Sequence, residues 1–379
     1  MNRFGYLKVA AAVPHVRVAD CRWNAGRAVE LIGRAAERGA ALVVFPELSL
    51  TGYTCGDLFL QSGLLRAAEE SLADLLRRTA DLPLAAIVGM PVPLGPALYN
   101  CAVVIGGGTI RGVVPKTFIP NYSEFYEARH FSSGADTELT ACRLCGQEVP
   151  FGRDLLFRLG DYATMGIEIC EDMWVPLSPS LAQAVDGAEV LVNLSASPES
   201  AGKHDYLRAL VRQQSERAKA AYIYCSAGFG ESSTDLSFAG NGIIVENGAM
   251  LRETERFCTE EQLVAADVDI ELLVTARRRT STFCLLYTSD AAPAGGRPPG
   301  DRRAGGSLFV GGVRASHPPE SLHARRRRGA GRALPRGARH PVVGPHAAAR
   351  PHRLPPRRAR HFGRPRLDFG AAGGRAGLR

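Results

Sequence analysis

Cys170 closes the short apolar run Met165-Gly166-Ile167-Glu168-Ile169-Cys170, with Glu171 and Asp172 directly behind it. A thiol is a nucleophile mainly as its thiolate, and carboxylates crowding it push the thiol pKa up. A catalytic Cys170 therefore needs a base to take its proton and a cation to offset the acids. Two other apolar runs end on the right residue types: Leu42-Val43-Val44-Phe45-Pro46-Glu47 and Gly112-Val113-Val114-Pro115-Lys116. Sites assemble at strand ends in α/β sheets, so the three runs nominate Glu47, Lys116 and Cys170 for one site. Residue types alone equally suit a buried cysteine, a surface glutamate and a surface lysine.

Strands and helices must bring those ends together. Residues 6–13 read as a strand and 22–38 as a helix, with Ala25, Ala28, Val29, Ile32 and Ala36 on one face and Gly39 as its stop. The uninterrupted apolar run 41–46 has the pattern of a strand covered on both faces. Tyr53 falls in the loop 48–56, followed by helix 63–79 and strand 84–92. Strands 98–105 and 109–114 pair through Gly106-Gly107-Gly108, which opens no helix and so is not a phosphate loop. Residues 117–151 form one long aromatic and polar loop, a length that is usually functional or disordered. Alternation resumes with strand 163–169, helix 178–186, strand 189–194, helix 204–219 and strand 221–226. A hairpin, 240–246 and 249–252, turns at Asn247-Gly248, and strand 263–269 ends the pattern. Mixed hairpins and crossover helices predict an α/β layered domain with helices outside.

The net charge of +8 conceals an asymmetry. Residues 290–379 hold 20 Arg, no Lys and four acids, a net of +16, which leaves −8 for residues 1–289. The basic total is thus no evidence for nucleic acid, and no stretch reads as a membrane span. Nine scattered cysteines without a regular framework, and no signal peptide, point to a reducing cytosol. Cys142-Arg143-Leu144-Cys145 is a lone C-x-x-C with no second pair, too little for a metal site. Cys225, inside an apolar strand, reads as core, and His204 as a solvated or capping residue. Beyond about residue 280 nothing has a period that could bury a core, so 290–379 is expected to be disordered. Its Arg/Ala/Gly/Pro/His mixture, without Lys or Ile, is also what a GC-rich gene read in the wrong frame encodes. Cys284-Leu285-Leu286-Tyr287-Thr288-Ser289-Asp290-Ala291-Ala292 resembles a translated sequencing-adapter remnant.

Phe45-Pro46-Glu47-Leu48, Pro115-Lys116 and Glu168-Ile169-Cys170-Glu171-Asp172 resemble the Glu–Lys–Cys signature of the nitrilase, or carbon–nitrogen hydrolase, superfamily. Further stretches resemble its branch of glutaminase domains at the amino terminus of bacterial glutamine-dependent NAD+ synthetases. These are Leu50-Thr51-Gly52-Tyr53, Asn121-Tyr122-Ser123-Glu124-Phe125-Tyr126-Glu127-Ala128-Arg129-His130-Phe131, Cys170-Glu171-Asp172-Met173-Trp174 and Asn193-Leu194-Ser195-Ala196-Ser197-Pro198. The resemblance implies a four-layer αββα sandwich over residues 1–275, with 276–289 as linker remnant. It implies that Cys170 attacks the side-chain amide of L-glutamine, that Glu47 is the general base, and that Lys116 stabilises the oxyanion. Glu127, with Glu124 as its rival, would be the accessory carboxylate. Tyr53, Tyr122, Glu171 and Ser197 would contact the glutamine, and Phe125 and Trp174 would wall the pocket.

Members of that branch carry a second domain that uses ATP and Mg2+ and is marked by a Ser-Gly-Gly-x-Asp-Ser loop. No such loop occurs here; Gly305-Gly306-Ser307 is followed by Leu308-Phe309. The expectation is a glutaminase half that needs no cofactor, feeding ammonia to a synthetase domain absent from this chain, and assembled as a homo-oligomer. Two alternatives remain at this level: another amidase or carbamoylase of the superfamily, or a non-catalytic fragment.

Overall fold

A computed structural model describes residues 5–283 and a strand at Val313–Ser316. The chain runs β1 (Tyr6–Val13), α1 (Cys21–Glu37), β2 (Leu42–Val44), α2 (Ser62–Arg78), β3 (Ala85–Leu94), β4 (Ala97–Gly106), β5 (Thr109–Pro115), β6 (Ala141–Leu144), β7 (Gln147–Pro150) and β8 (Leu156–Leu159). It continues β9 (Ala163–Ile169), α3 (Pro179–Val185), β10 (Val190–Ser195), α4 (Lys203–Ala218), β11 (Ala221–Ser226), β12 (Gly242–Glu246), β13 (Ala249–Glu253), β14 (Gln262–Asp269), α5 (Ile270–Arg279) and β15 (Val313–Ser316). One sheet has the order β14-β1-β2-β3-β4-β5, the other β13-β12-β11-β10-β9-β8-β15. The parallel pairs lie at the centres, β1-β2-β3 in the first sheet and β9-β10-β11 in the second.

Side-chain alternation explains why the sheets stack. Val9, Ala11 and Val13 of β1 face Ile167, Ile169, Val190 and Val192 of the second sheet in a shared core. Ala10 and Ala12 point the other way, onto a cluster with Leu31 of α1 and Leu72 of α2. On the second sheet Leu191, Tyr222 and Tyr224 point outward to Leu207 and Val211 of α4. A two-residue period on each strand thus builds the four layers α, β, β, α. Cys225 lies in the inter-sheet core, as its apolar strand predicted.

The structure departs from the sequence reading in four places. The stretch 117–151 is not one loop: it contains a 3-10 turn at Glu127–Arg129 and the hairpin β6–β7. Four-residue strands of this kind give too few positions for alternation to register. Leu156–Leu159 pairs with β9 as a further short strand. Helix α5 crosses the expected boundary at 275; Asp269 caps it by accepting from Leu272 N–H at 2.9 Å. Arg277, although basic, turns inward and donates to the carbonyls of Ala188, Ala218 and Lys219, which is why a polar run could continue a helix. Finally, Val313–Ser316, within the stretch expected to be disordered, pairs antiparallel with β8. An open strand edge offers unpaired N–H and C=O groups and asks for no core-facing pattern. The rest of 284–379 lies outside the described residues.

Candidate active site

Each nominated residue sits just past the end of a strand. Glu47 follows β2, Lys116 follows β5, and Cys170 follows β9 directly. The two sheets are stitched together at this level: Glu47 N–H donates to the Ser195 carbonyl at the end of β10, at 3.2 Å. Gly89 on β3 makes room for the Glu47 segment, since a Cβ there would sit 2.2 Å from Leu48 N. Asp172 adds a second stitch. Its carboxylate accepts from Thr117 N–H and Phe118 N–H, just beyond Lys116, and from Ile169 N–H, just before Cys170. Cys170 itself adopts φ +44°, a left-handed conformation costly for a side-chain-bearing residue and typical of functional turns.

Lys116 is fully buried, and its Nζ donates to Glu47 Oε1 at 2.7 Å and to Glu127 Oε1 and Oε2 at 2.8 and 2.9 Å. Burial alone would push its ammonium pKa down; Glu127 and then Glu47 outweigh it and hold the value well above the ordinary lysine range. Asn100, on β4, donates to the same Glu47 oxygen at 2.6 Å. Glu47 Oε2 has no hydrogen-bond partner among the described residues, so one lone-pair face is free to take a proton. Burial, only partly offset by Lys116, raises the Glu47 carboxyl above the usual glutamate range. Burial also pushes the Cys170 thiol far up, aided by Glu47 and opposed by Lys116. Both burial and Glu47 thus favour the neutral thiol over the thiolate.

Glu127 and Glu124 part company here. Glu127 is buried on Lys116 and also accepts from the Tyr53 hydroxyl at 2.8 Å, while Glu124 is exposed. Both line a cavity with Tyr53, Phe125 and Thr54. Tyr122 and Glu171 form a separate pair, the hydroxyl donating to both carboxylate oxygens at 3.0 Å. Burial, then the bond to Glu171, raises the Tyr122 phenol to about 12, and Cys170 contributes further. Ser197 is buried just past β10, its N–H donating to Ser226 Oγ at 3.1 Å. Trp174 stacks on Tyr206 with Lys203 Nζ 5.3 Å from its ring centroid, and neither it nor Cys170 lines that cavity. Glu168 turns away from Cys170 to the outer face, where it accepts from Ser180 N–H at the start of α3 and from the Tyr222 hydroxyl. The acids that perturb the thiol most are thus Glu47 and Glu127, not the neighbours in sequence.

Asn100 and Asp172 are the residues that sequence reasoning missed. A polar residue inside the apolar run Leu98-Tyr99-Asn100-Cys101-Ala102 was the available signal for the first. Asp172 carried none beyond its proximity to Cys170. Cys142 and Cys145 fall on the β6–β7 hairpin, and His204 pairs with Glu253 at 3.1 Å. No group of His, Cys, Asp and Glu among the described residues could hold a metal, and no described helix is long and apolar enough to cross a membrane.

Residues 8–278 match the family of carbon-nitrogen hydrolases. The chain belongs to that family. This carbon-nitrogen hydrolase is 46% identical over 281 residues to the glutamine-dependent NAD(+) synthetase of Mycobacterium tuberculosis, covering 74% of this chain and 41% of that protein. It is 30% identical over 280 residues to the Thermotoga maritima protein of the same name, covering 72% and 45%. The chain thus spans about two fifths of the length of the M. tuberculosis relative (41%). Among solved structures it resembles a glutamine-dependent NAD(+) synthetase from Cytophaga hutchinsonii, with TM-score 0.63 and 27% identity over 69% of this chain and 43% of that one. An amidase of the nitrilase superfamily from Nesterenkonia shares the fold, with TM-score 0.57 and 20% identity over 74% and 97%.

Proposed function

We propose that this carbon-nitrogen hydrolase releases ammonia from L-glutamine through a thioester on Cys170. The observation that carries the reading is a fully buried ammonium, Lys116, held between two carboxylates at the strand ends where Cys170 also emerges. In the first step Glu47 takes the thiol proton while Sγ adds to the amide carbon. The oxygen that becomes negative lies against Lys116, and an aimed donor of that kind is worth about 3–4 kcal/mol in a dry site. Glu47 then returns the proton to the leaving nitrogen, the C–N bond breaks, and ammonia departs. Water, activated by Glu47 with Glu127 holding it, cleaves the thioester to glutamate and restores the thiol.

Substrate choice falls to the pair Tyr122–Glu171 and to Ser197, Tyr53 helping through Glu127. An α-ammonium needs an acceptor, which Glu171 offers; an α-carboxylate needs donors, which the hydroxyls offer. The names of the relatives support glutamine over other amides, and the ammonia is then passed to a synthetase domain for amidation in NAD synthesis. ATP and Mg2+ belong to that domain, and the hydrolytic half works without a cofactor. We further propose that the chain acts as a homo-oligomer in the cytoplasm.

The test is ammonia release from L-glutamine by the full chain and by Cys170→Ala, with acetamide, propionamide and N-carbamoyl amino acids as competitors. Cysteine-dependent release from glutamine alone supports the reading. Equal turnover of simple amides would replace it with a broad amidase, and no release from any amide would leave the fold without this activity.

A further inference from the structure

Glu231 lies in the loop after β11, with no Lys or Arg among the groups that shift its carboxyl. A single dipeptide across the cavity donates three hydrogen bonds to it. Oε1 accepts from Tyr53 N–H at 2.6 Å; Oε2 accepts from Thr54 N–H at 3.0 Å and from Thr54 Oγ1 at 2.5 Å. Thr54 Oγ1 in turn accepts from Ser232 N–H at 2.9 Å, so the two segments hold each other in both directions. Desolvation makes the carboxylate costly here, and the Thr54 and Tyr53 donors are what offset it. The loop cannot slide to find other partners. Gly230 has φ +104° and passes so close to the residue 16 backbone that a Cβ would meet Val16 O at 1.9 Å. Val16 N–H also donates to the Phe229 carbonyl at 3.2 Å.

The fastened dipeptide includes Tyr53, whose hydroxyl donates to Glu127 Oε1 at 2.8 Å, and Glu127 grips Lys116. We propose that Glu231 is a positioning residue: through Tyr53 it sets Glu127, and through Glu127 the charge balance around Lys116 and Cys170. It also fastens one wall of the cavity, Ser232, Thr234 and Leu236, to the other, Tyr53 and Thr54. The inference rests on the reading of Cys170 as the nucleophile facing Lys116. A latch that merely held two loops together would change stability and leave the titration of Cys170 alone.

The test uses the full chain, wild type and with Glu231→Gln, Tyr53→Phe, both together, and Thr54→Val. The substitution Glu231→Gln turns an amide NH2 against one of the N–H donors, whereas Thr54→Val removes a single hydroxyl. The first readout is the pH dependence of Cys170 alkylation by iodoacetamide, followed at that residue by mass spectrometry; it requires no substrate. The second is kcat and KM for L-glutamine. Glu231→Gln and Tyr53→Phe are expected to displace the alkylation profile in the same direction, and the double variant no further than Tyr53→Phe alone. The kcat should drop about tenfold with KM moved less than about threefold. Thr54→Val should shift the profile the same way by a smaller amount, and it replaces Glu231→Gln in the cycle if that variant does not fold. Additive shifts, or a wild-type profile in folded Glu231→Gln or Thr54→Val, would overturn the inference. If the wild type releases no ammonia from glutamine yet the alkylation profiles are non-additive as expected, the proposed function fails and the positioning role stands.

Discussion

Two Tyr–Glu pairs flank the candidate site, and they differ chiefly in their surroundings. Tyr53 donates to Glu127 at 2.8 Å and Tyr122 donates to Glu171 at 3.0 Å. Glu127 is buried with Lys116, whereas Tyr122 is 54% exposed and Glu171 is only half-buried. A hydrogen bond in a dry, charged cluster is electrostatically strong and expensive to lose; a solvated one is replaced by water at little cost. The same chemical pair can therefore tune reacting groups in one place and greet a polar substrate in the other. That contrast depends on burial, and it can be broken.

The largest effect should come from the proposed nucleophile, which neighbours both pairs. Cys170→Ala should lower ammonia release from glutamine by at least ~10³-fold in a coupled assay, with the fold retained by circular dichroism. Next, Lys116→Met removes the cation from the buried cluster and leaves Glu47 and Glu127 uncompensated. Urea unfolding should show a loss of about 3–5 kcal/mol, and activity should fall at least ~100-fold. A stability near wild type would mean that the two carboxylates are not both charged.

The pH profile sharpens the buried side of the comparison. As the proposed base, Glu47 must be ionised to accept the thiol proton, and burial raises its pKa, so the rate should fall as pH drops through a value above the ordinary glutamate pKa of about 4.3. A kcat/KM profile from acid to neutral pH measures this; an acid limb at the ordinary value contradicts it. The smallest effects come from the two tyrosines themselves. Tyr53→Phe should reduce kcat about tenfold, while Tyr122→Phe should leave kcat within about twofold and raise KM for glutamine roughly threefold. Equal effects of the two substitutions would show that burial does not separate the pairs.

Much of this was legible in the sequence because strands advertise themselves. The uninterrupted apolar run 41–46 holds β2, and β1, β9 and β11 fall where strands were expected at 6–13, 163–169 and 221–226. Asn247-Gly248 turns the β12–β13 hairpin with both residues at positive φ, as that dipeptide favours. Short elements escaped, since β6, β7 and β8 are four residues each. So did α5, whose inward face includes an arginine satisfied by distant carbonyls. Within the site, Glu47, Lys116 and Cys170 could be nominated because each closes an apolar run. Asp172 and Glu231 close no such run and find their partners 55 and 178 residues away, and Asn100 showed only as a polar residue inside an apolar run.

Apolar runs, together with the residue types that close them, were enough to predict a layered α/β domain and to nominate Glu47, Lys116 and Cys170. Those are local properties: a period-two pattern chooses a face, and a chain leaving a sheet carries the next side chain out with it. Only the tertiary structure decided that Glu127 rather than Glu124 meets Lys116, that Glu168 turns outward, and that the acids acting on Cys170 come from other strands. Such choices depend on Coulomb and desolvation energies between groups far apart in sequence, and these acquire a value only once the fold fixes their distances and removes the water.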